Sequence, residues 1–370
     1  SRQGRRESSS KLQVSMMFDP GCLTNTVLAE GGAVSAWSVT SLTSDLSAEL
    51  FQASLLPYLA FLYFLSRKET KTPDGGFFGF AFLLVFVVAT IPAGILAKLQ
   101  YDEILANVDY LHGIAESFLT ITNLLIVAAF RKAVLRRERQ PTEVEEGETI
   151  LRSVAGASAV VATLAAPSLL AVVHGEPSNA LSFPTWMVHV SSLIEWLAAM
   201  TYVWRFADVS GLKEWKGLTW GMLPLHTSGL IACTFHVFYN APQLTNLVAM
   251  QAGLTCFGNS TMAFAMWRIW EAGKEAWAGD EAEEAAATTS REGESVSTSW
   301  RREDLSFYGQ IVGITVAGAA LVKWGELLLD FPFDPSYTMA AVLVLGPTAL
   351  NAKKWWDRSA DPSAPIEGII

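Results

Sequence analysis

Long apolar stretches separated by short polar loops run through the chain from residue 50 onward. An apolar stretch of about 18–20 residues is long enough to cross the roughly 30 Å hydrocarbon core of a bilayer as an α-helix. Nine stretches follow this pattern: Leu50–Ser66, Phe77–Leu99, Leu111–Phe130, Ser153–Val173, Thr185–Phe206, Leu218–Tyr239, Leu247–Trp270, Leu305–Leu329 and Tyr337–Ala352. We therefore expect an all-α fold, a polytopic transmembrane helical bundle of about nine helices.

Lysine and arginine residues gather in every second loop between these stretches. They follow the first, third, fifth, seventh and last stretches, whereas the loops 100–110, 174–184, 240–246 and 330–336 contain none. Because basic residues resist translocation, the basic loops mark the inner side of the membrane. We expect the N-terminal segment on the outer side and the C-terminus on the inner side.

The composition agrees with a membrane class and excludes others. Hydrophobic residues make up 51% of the 370 residues and charged residues 17%, against about 25% charged in soluble domains. The low charge excludes a disordered chain, and the net charge of −10 offers no overall basic surface to nucleic acid. The three cysteines form no CxxC motif, so neither a disulfide framework nor a cysteine metal site is expected.

Two acidic stretches, 143–148 and 279–299, divide the chain on its inner side. The opening SRQGRRESSSK is rich in Arg and Ser, which is typical of an organellar transit peptide and also of a disordered basic tail. We expect six parts: a transit-peptide remnant and outer segment (1–49), a three-helix membrane domain (50–140), an acidic inner loop (141–152), a four-helix membrane domain (153–272), an acidic disordered linker (273–304), and a C-terminal two-helix hairpin with an inner tail (305–370).

The first two membrane domains share a layout. The run Gly79–Arg131 resembles Gly217–Arg268 in length and in its order of apolar stretches. Each run carries an asparagine in the middle of a predicted helix, Asn123 in the first and Asn259 in the second. Both runs cross the membrane in the same direction, which predicts a parallel internal repeat of three-helix units.

Histidine and glutamate side chains, which can bind metals or transfer protons, interrupt the apolar stretches. His112, His189 and His236 lie at matched depths toward the outer side, so they can approach one another. Glu195 and His226 lie near the bilayer centre. A carboxylate in hydrocarbon is costly enough that it normally faces a partner or a cavity.

Three interpretations of these groups stay open. They can hydrogen-bond one another and hold helices together, at roughly 1 kcal/mol for each bond. They can ligate haem or chlorophyll through neutral imidazole, for which the candidates are His112, His189, His226 and His236. They can also form an acid–base or di-metal catalytic centre, for which the candidates are His112, Glu116, His189 and Glu195. The repeated ExxH pattern of di-metal bundles is missing, so the sequence assigns no metal ligand.

Distinctive runs give the chain a family resemblance. NALSFPTWMVHVSSLIEWLAAMTYVWRF and GLIACTFHVFYNAP, within Asn179–Trp270, resemble the family called hypothetical chloroplast open reading frame forty-nine, found in cyanobacteria and plastids. LLPYLAFLYFLSR and NVDYLHGIAESFLTITNLLIVAAFR, within Leu50–Arg131, resemble a second cyanobacterial and plastid membrane domain of unknown function. The resemblance implies a plastid fusion of the two domains, in the thylakoid or the inner envelope. It brings no established activity, so it assigns no functional residue.

These observations favour an integral chloroplast membrane protein that is an auxiliary or assembly partner of a photosynthetic complex, with haem or chlorophyll as candidate cofactors. No GxxxxGKS/T, GxSxG or HExxH motif occurs, so nucleotide hydrolysis, serine esterase and zinc-peptidase chemistry lack support. Two alternatives stay open. One is a membrane enzyme acting on a carotenoid, quinone or prenyl lipid, and the other is a small-solute or ion transporter.

Overall fold

The computed structural model describes residues 36–138, 179–284, 302–329 and 334–361. Within these ranges it places the side chains of residues 46–137, 179–276, 304–325 and 334–361. The chain divides into two compact units after Leu42. Of the first unit the described residues are only the opening turns of a helix, and everything below concerns the second unit.

The described residues are helical, with no strand among them, which confirms the all-α class. The helices are α1 (Ala36–Leu65), α2 (Gly76–Ala81), α3 (Leu83–Tyr101), α4 (Asp109–Glu138), α5 (Phe183–Ser210), α6 (Trp215–Val237), α7 (Asn246–Glu284), α8 (Arg302–Leu329) and α9 (Tyr337–Ala360). Eight of the nine predicted stretches fall on described residues, and each of the eight is helical. The stretch at 153–173 lies outside the described residues, so the count of nine stays a prediction.

Four helical regions of the described chain are long and apolar enough to cross a membrane: Leu46–Leu65, Gly76–Tyr101, Asp109–Arg137 and Asp304–Gly325. The other predicted spans that fall on described residues do not combine enough length and mean hydropathy with few enough charges. Helix α5 carries His189, Glu195 and Arg205, and both α5 and α6 pack deeply among their neighbours. A helix enclosed by protein does not have to satisfy lipid on every face, which explains why its composition is less apolar.

The basic loops meet at one end of the bundle. At this end the rings of Phe130, Phe206 and Trp215 pack with centroids 5.1–5.4 Å apart. The Trp215 indole donates to the backbone carbonyl of Thr70 at 3.1 Å. The starts and ends of α1, α4, α5 and α6 are therefore fixed together here, as alternating basic loops predict.

Loops without lysine or arginine meet at the opposite end. The backbone N–H of Ser182, before α5, donates to the Asp109 carboxylate at the start of α4 with an N–O distance of 2.8 Å. Asn240, after α6, donates to the side-chain oxygen of Asn107 at 2.8 Å. We call this the histidine end, since His112, His189 and His236 all lie near it.

Two asparagines make reciprocal contacts between the first and second membrane domains. Asn123 on α4 donates to the backbone carbonyl of Ser192 on α5 at 3.0 Å. Asn259 on α7 donates to the backbone carbonyl of Ser54 on α1, also at 3.0 Å. Each asparagine thus lies on the third helix of one predicted unit and bonds the first helix of the other.

A second pair of contacts lies within each domain. The Tyr58 hydroxyl on α1 donates to the Phe80 carbonyl on α2 at 2.6 Å. The Trp196 indole on α5 donates to the Met222 carbonyl on α6 at 3.1 Å. Tyr58 lies four residues after Ser54, and Trp196 lies four residues after Ser192. The acceptor and the donor therefore have the same spacing on α1 as on α5.

Two glycines let helices approach at corresponding places as well. A Cβ on Gly79 would lie 3.0 Å from the Ile126 nitrogen on α4, and one on Gly221 would lie 3.2 Å from the Met262 nitrogen on α7. The close approach in the second domain is made at Gly221, whereas the sequence layout paired Gly79 with Gly217, which has open space around it. The four-residue difference is about one helical turn and leaves the same face in use, so apolar patterning alone does not fix it.

Candidate functional site

Three histidines from three helices meet at the histidine end. His112 is in the first turn of α4, His189 is two turns into α5, and His236 is in the last turn of α6. Their exposed fractions are 7%, 5% and 6%, so all three imidazoles are buried. The matched depths predicted this approach, and the structure confirms it.

The three rings form a compact cluster, which we call the histidine cluster. The Nε2 atoms of His112 and His189 are 3.0 Å apart, which is a hydrogen bond. The ring centroids of all three pairs are 4.9 Å apart. One ring nitrogen from each of the three residues lies within 4.8 Å of the other two.

The hydrogen bonds fix the tautomers of two members. Nδ1 of His189 lies 2.9 Å from the Thr185 carbonyl, which can only accept, so this nitrogen carries a proton. Nε2 of a neutral His189 is then an acceptor, and Nε2 of His112 must donate to it. Nδ1 of His236 is buried without a hydrogen-bond partner, so no bond at that atom fixes the tautomer of His236.

Close packing of α4 against α5 brings the first two histidines together. Gly113 follows His112, and a Cβ at this position would lie 2.6 Å from the Thr185 hydroxyl oxygen. Thr185 belongs to the same turn that anchors His189. The indole of Trp186 packs edge-on against the cluster, with its centroid 6.1 Å from that of His189.

Of the two glutamates predicted for an acid–base centre, Glu195 is the more buried. It is 1% exposed and lies nearly two turns beyond His189 on α5. Ser191 donates a hydrogen bond to its Oε1, while its Oε2 has no partner. Glu116 is half-buried one turn after His112, and neither glutamate is among the three residues whose donor atoms converge.

The fourth histidine among the described residues lies apart from the cluster. His226 is 3% exposed near the middle of α6, and its Nδ1 has no hydrogen-bond partner. No hydrogen bond joins His226 to Glu195 among the described residues, although both lie near the middle of their helices. His174 lies outside the described residues.

The geometry of the cluster suits a small ion better than a macrocycle. A haem or chlorophyll ring lies between the axial ligands of its metal, whereas Nε2 of His112 and Nε2 of His189 are in direct hydrogen-bond contact. Three imidazole nitrogens within 4.8 Å are close to the spacing of ligands around one metal ion. The sequence analysis did not identify Gly113 and Thr185, because neither belongs to a recognisable motif. The available signal was that a glycine, Gly113, directly follows His112.

Two regions of the chain match protein families. Residues 180–268 match a family described as protein of unknown function (DUF2499), and residues 47–135 match one described as protein of unknown function (DUF3593). His112 falls in the DUF3593 region, while His189 and His236 fall in the DUF2499 region. The histidine cluster therefore draws on both.

Two curated relatives each match about a quarter of the chain. A Ycf49-like protein of the cyanobacterium Synechocystis sp. is 52% identical over 92 residues, which is 25% of this chain and 88% of the relative. A protein of Cyanophora paradoxa named uncharacterized protein ycf49 is 33% identical over 88 residues, which is 24% of this chain and 86% of the relative. No solved structure matches the chain.

Proposed function

The chain belongs to the Ycf49-like family, and we propose that it serves a photosynthetic membrane as an auxiliary or assembly protein rather than as an enzyme. Its relatives come from a cyanobacterium and a plastid, and its four candidate spans agree with an integral membrane protein. The proposal places the protein in the thylakoid with the C-terminus in the stroma. The inner envelope is the alternative location.

The observation that carries the proposal is the use of interior polar side chains as links between helices. Asn123, Asn259 and Trp196 each donate to a backbone carbonyl of a neighbouring helix. Such bonds contribute about 0.5–2 kcal/mol each in a membrane and fix how the helices pack. A bundle whose polar groups are used in this way is suited to scaffolding.

The outer face of the Gly76–Tyr101 span supports the same function. Only 11% of the most apolar 18-residue stretch of this span is buried within the bundle, and large apolar side chains such as Val88, Ile91 and Leu99 are exposed. These residues are 65%, 59% and 79% exposed. A span that contributes so little to its own bundle is available to lipid or to the helix of a partner complex.

Affinity purification tests the proposal. The tagged full-length protein, extracted from thylakoids in mild detergent, is expected to carry subunits or assembly intermediates of one photosynthetic complex, identified by mass spectrometry. A multi-pass protein of similar size from the same membrane, purified with the same tag, is the matched control. A preparation with the same co-purifying proteins as the control, together with normal accumulation of photosynthetic complexes in a deletion strain, would contradict the proposal.

Haem or chlorophyll stays in the proposal at one position. His226 is buried in the middle of α6 with Nδ1 unpartnered, whereas the histidine cluster has no room for a ring between its members. A Soret band in the purified protein that disappears in His226→Ala would support ligation there. A colourless wild-type preparation removes the macrocycle from the proposal.

A membrane enzyme acting on a carotenoid, quinone or prenyl lipid is the second candidate function. Glu195 favours it, because the buried Oε2 has no hydrogen-bond partner and a general base needs a free acceptor. In a deletion strain, an enzyme requires that Glu116→Gln and Glu195→Gln fail to restore the pigment and lipid profile. Full complementation by both variants excludes it.

We also propose that the two membrane domains are copies of one three-helix unit. The reciprocal bonds of Asn123 and Asn259, and the matched bonds of Tyr58 and Trp196, support this. When two units make the same contacts with each other in both directions, a pseudo-two-fold axis relates them. In a parallel repeat this axis runs along the membrane normal. The domain boundaries expected from the sequence belong to this proposal.

A further inference from the structure

We propose that His112, His189 and His236 bind one divalent transition-metal ion, of the class of Zn²⁺ or Cu²⁺, at the histidine end of the bundle. Imidazole nitrogen is a preferred donor for these ions. The inference rests on the cluster itself and holds whether or not the protein is an assembly factor.

The spacing of the donor atoms is the first support. A tetrahedral ion with bonds of about 2.0–2.1 Å to nitrogen holds its ligand atoms roughly 3.3 Å apart. Nε2 of His112 and Nε2 of His189 are 3.0 Å apart, and the donor atom of His236 lies within 4.8 Å of both. Small rotations of the three rings, with the His112 proton moved from Nε2 to Nδ1, therefore convert the cluster into a three-nitrogen site.

The hydrogen bond at the far side of one ring is the second support. Metal-bound histidine usually donates its other ring N–H to a carbonyl or carboxylate, which fixes the tautomer and aims the lone pair at the ion. Nδ1–H of His189 donates to the Thr185 carbonyl at 2.9 Å, so the lone pair of Nε2 faces the cluster. This ring is prepared for ligation before an ion arrives.

The third support is the small number of hydrogen bonds that the three histidines make with one another when no ion is bound. One bond joins His112 to His189, whereas His236 contacts both rings and leaves a buried Nδ1 without a partner. A buried polar atom that makes no hydrogen bond costs about 1–3 kcal/mol. A bound ion would replace the one hydrogen bond within the cluster with three coordinate bonds. One of these bonds would be made by His236, which bonds neither of the other two rings without the ion.

The number of ligands predicts the character of the site. Structural zinc sites use four protein ligands, whereas three protein ligands leave a position for water or another molecule. We therefore expect an exchangeable ion rather than a permanently enclosed one.

Metal analysis of the purified protein is the first test. The full-length chain carries a tag without histidine, is stripped with a chelator in detergent, is dialysed against buffered Zn²⁺, and is assayed by mass spectrometry of the metal. We expect one zinc ion per chain. Saturation well below one ion per chain, with Cu²⁺ giving the same result, overturns the proposal.

Paired substitutions test which residues bind. His112→Ala and His236→Ala are expected to weaken Zn²⁺ binding at least tenfold and to abolish the rise in Tm that Zn²⁺ produces in the wild type. Cys256→Ala is the matched control, since it removes a half-buried side chain that can bind a metal but lies outside the cluster, and it should bind Zn²⁺ as the wild type does. Equal Zn²⁺ binding by all three variants and the wild type overturns the proposal.

Spectroscopy of the wild type decides the matter if a substituted chain does not fold. X-ray absorption at the zinc edge counts imidazole ligands directly, and three are expected. Co²⁺ in place of Zn²⁺ is expected to show the visible bands of a four- or five-coordinate nitrogen site. A spectrum without imidazole ligands, or with Co²⁺ in purely aqueous coordination, overturns the proposal.

Discussion

At the residue scale, the absence of one side chain decides whether two helices can bring their histidines together. Gly113 lies beside His112 where α4 meets the first turn of α5. Any Cβ at this position meets the Thr185 hydroxyl, and Thr185 also supplies the carbonyl that orients His189. Helix spacing and imidazole orientation are thus set within a single turn of α5.

Gly113→Ala is expected to destabilise the protein by about 1–3 kcal/mol, because the added methyl group would lie 2.6 Å from Thr185 Oγ1 and must displace this hydroxyl from its hydrogen bond to the Asp109 carbonyl. The measurement is thermal unfolding in detergent. Gly94→Ala is the control, since nothing lies within 4 Å of a Cβ there and alanine is favoured in a helix by about 0.5–1 kcal/mol. Unchanged stability in Gly113→Ala would show that α4 and α5 are not held at this distance.

The residues also show what sequence can and cannot predict. Depth along a helix follows from counting residues, so the approach of His112, His189 and His236 was predictable. Which neighbouring helix a side chain faces does not follow from counting residues, because the sequence does not say how the helices are arranged around one another. Glu195 and His226 share a depth near the bilayer centre, yet Glu195 accepts its hydrogen bond from Ser191 on its own helix, and no bond joins it to His226.

At the element scale, hydrogen bonds from α4 to α5 and from α7 to α1 hold the two membrane domains against each other. Asn123 and Asn259 donate to backbone carbonyls that already belong to helices, so they add an interhelical link without removing an intrahelical one. The asparagines were visible in the sequence as a matched pair. Their acceptors, Ser192 and Ser54, were not, since a backbone carbonyl leaves no mark on composition.

Asn123→Leu and Asn259→Leu are expected to lower the free energy of unfolding by similar amounts, about 0.5–2 kcal/mol each, because each removes one interhelical hydrogen bond. Unfolding of the two variants in the same detergent series makes the comparison. Asn246→Leu is the control, since Asn246 bonds the Tyr337 hydroxyl at an exposed position and should matter less. Strongly unequal effects at positions 123 and 259 would count against two equivalent units.

At the scale of the whole molecule, the loops that the charge pattern assigns to one side of the membrane lie at the same end of the bundle. Loops rich in lysine and arginine meet at the end marked by Trp215, and loops without these residues meet at the histidine end. The sequence predicts the sidedness because translocation acts on loop charge. It overestimates how apolar the central helices are, since α5 and α6 are screened from lipid by their neighbours.

Cysteine labelling checks the sidedness. In a chain whose own cysteines are replaced by serine, Ala360→Cys is expected to react with an impermeant maleimide from the stromal side of intact thylakoids, because it follows the basic end of α9. Glu103→Cys, in the loop without basic residues, is expected to react only after the membrane is opened. Both side chains are exposed, so access to reagent is not limited by packing. Labelling of both from the same side would contradict the topology.

The bond between Asn259 and Ser54 joins residues 205 positions apart, which bears on how the protein is made. Ribosomes add roughly 5–20 residues per second, so about 10–40 s pass between the synthesis of α1 and that of its partner on α7. During that interval the Ser54 carbonyl on α1 lacks its donor on α7. An insertase or another membrane chaperone that shelters this part of α1 until α7 is made would prevent premature association.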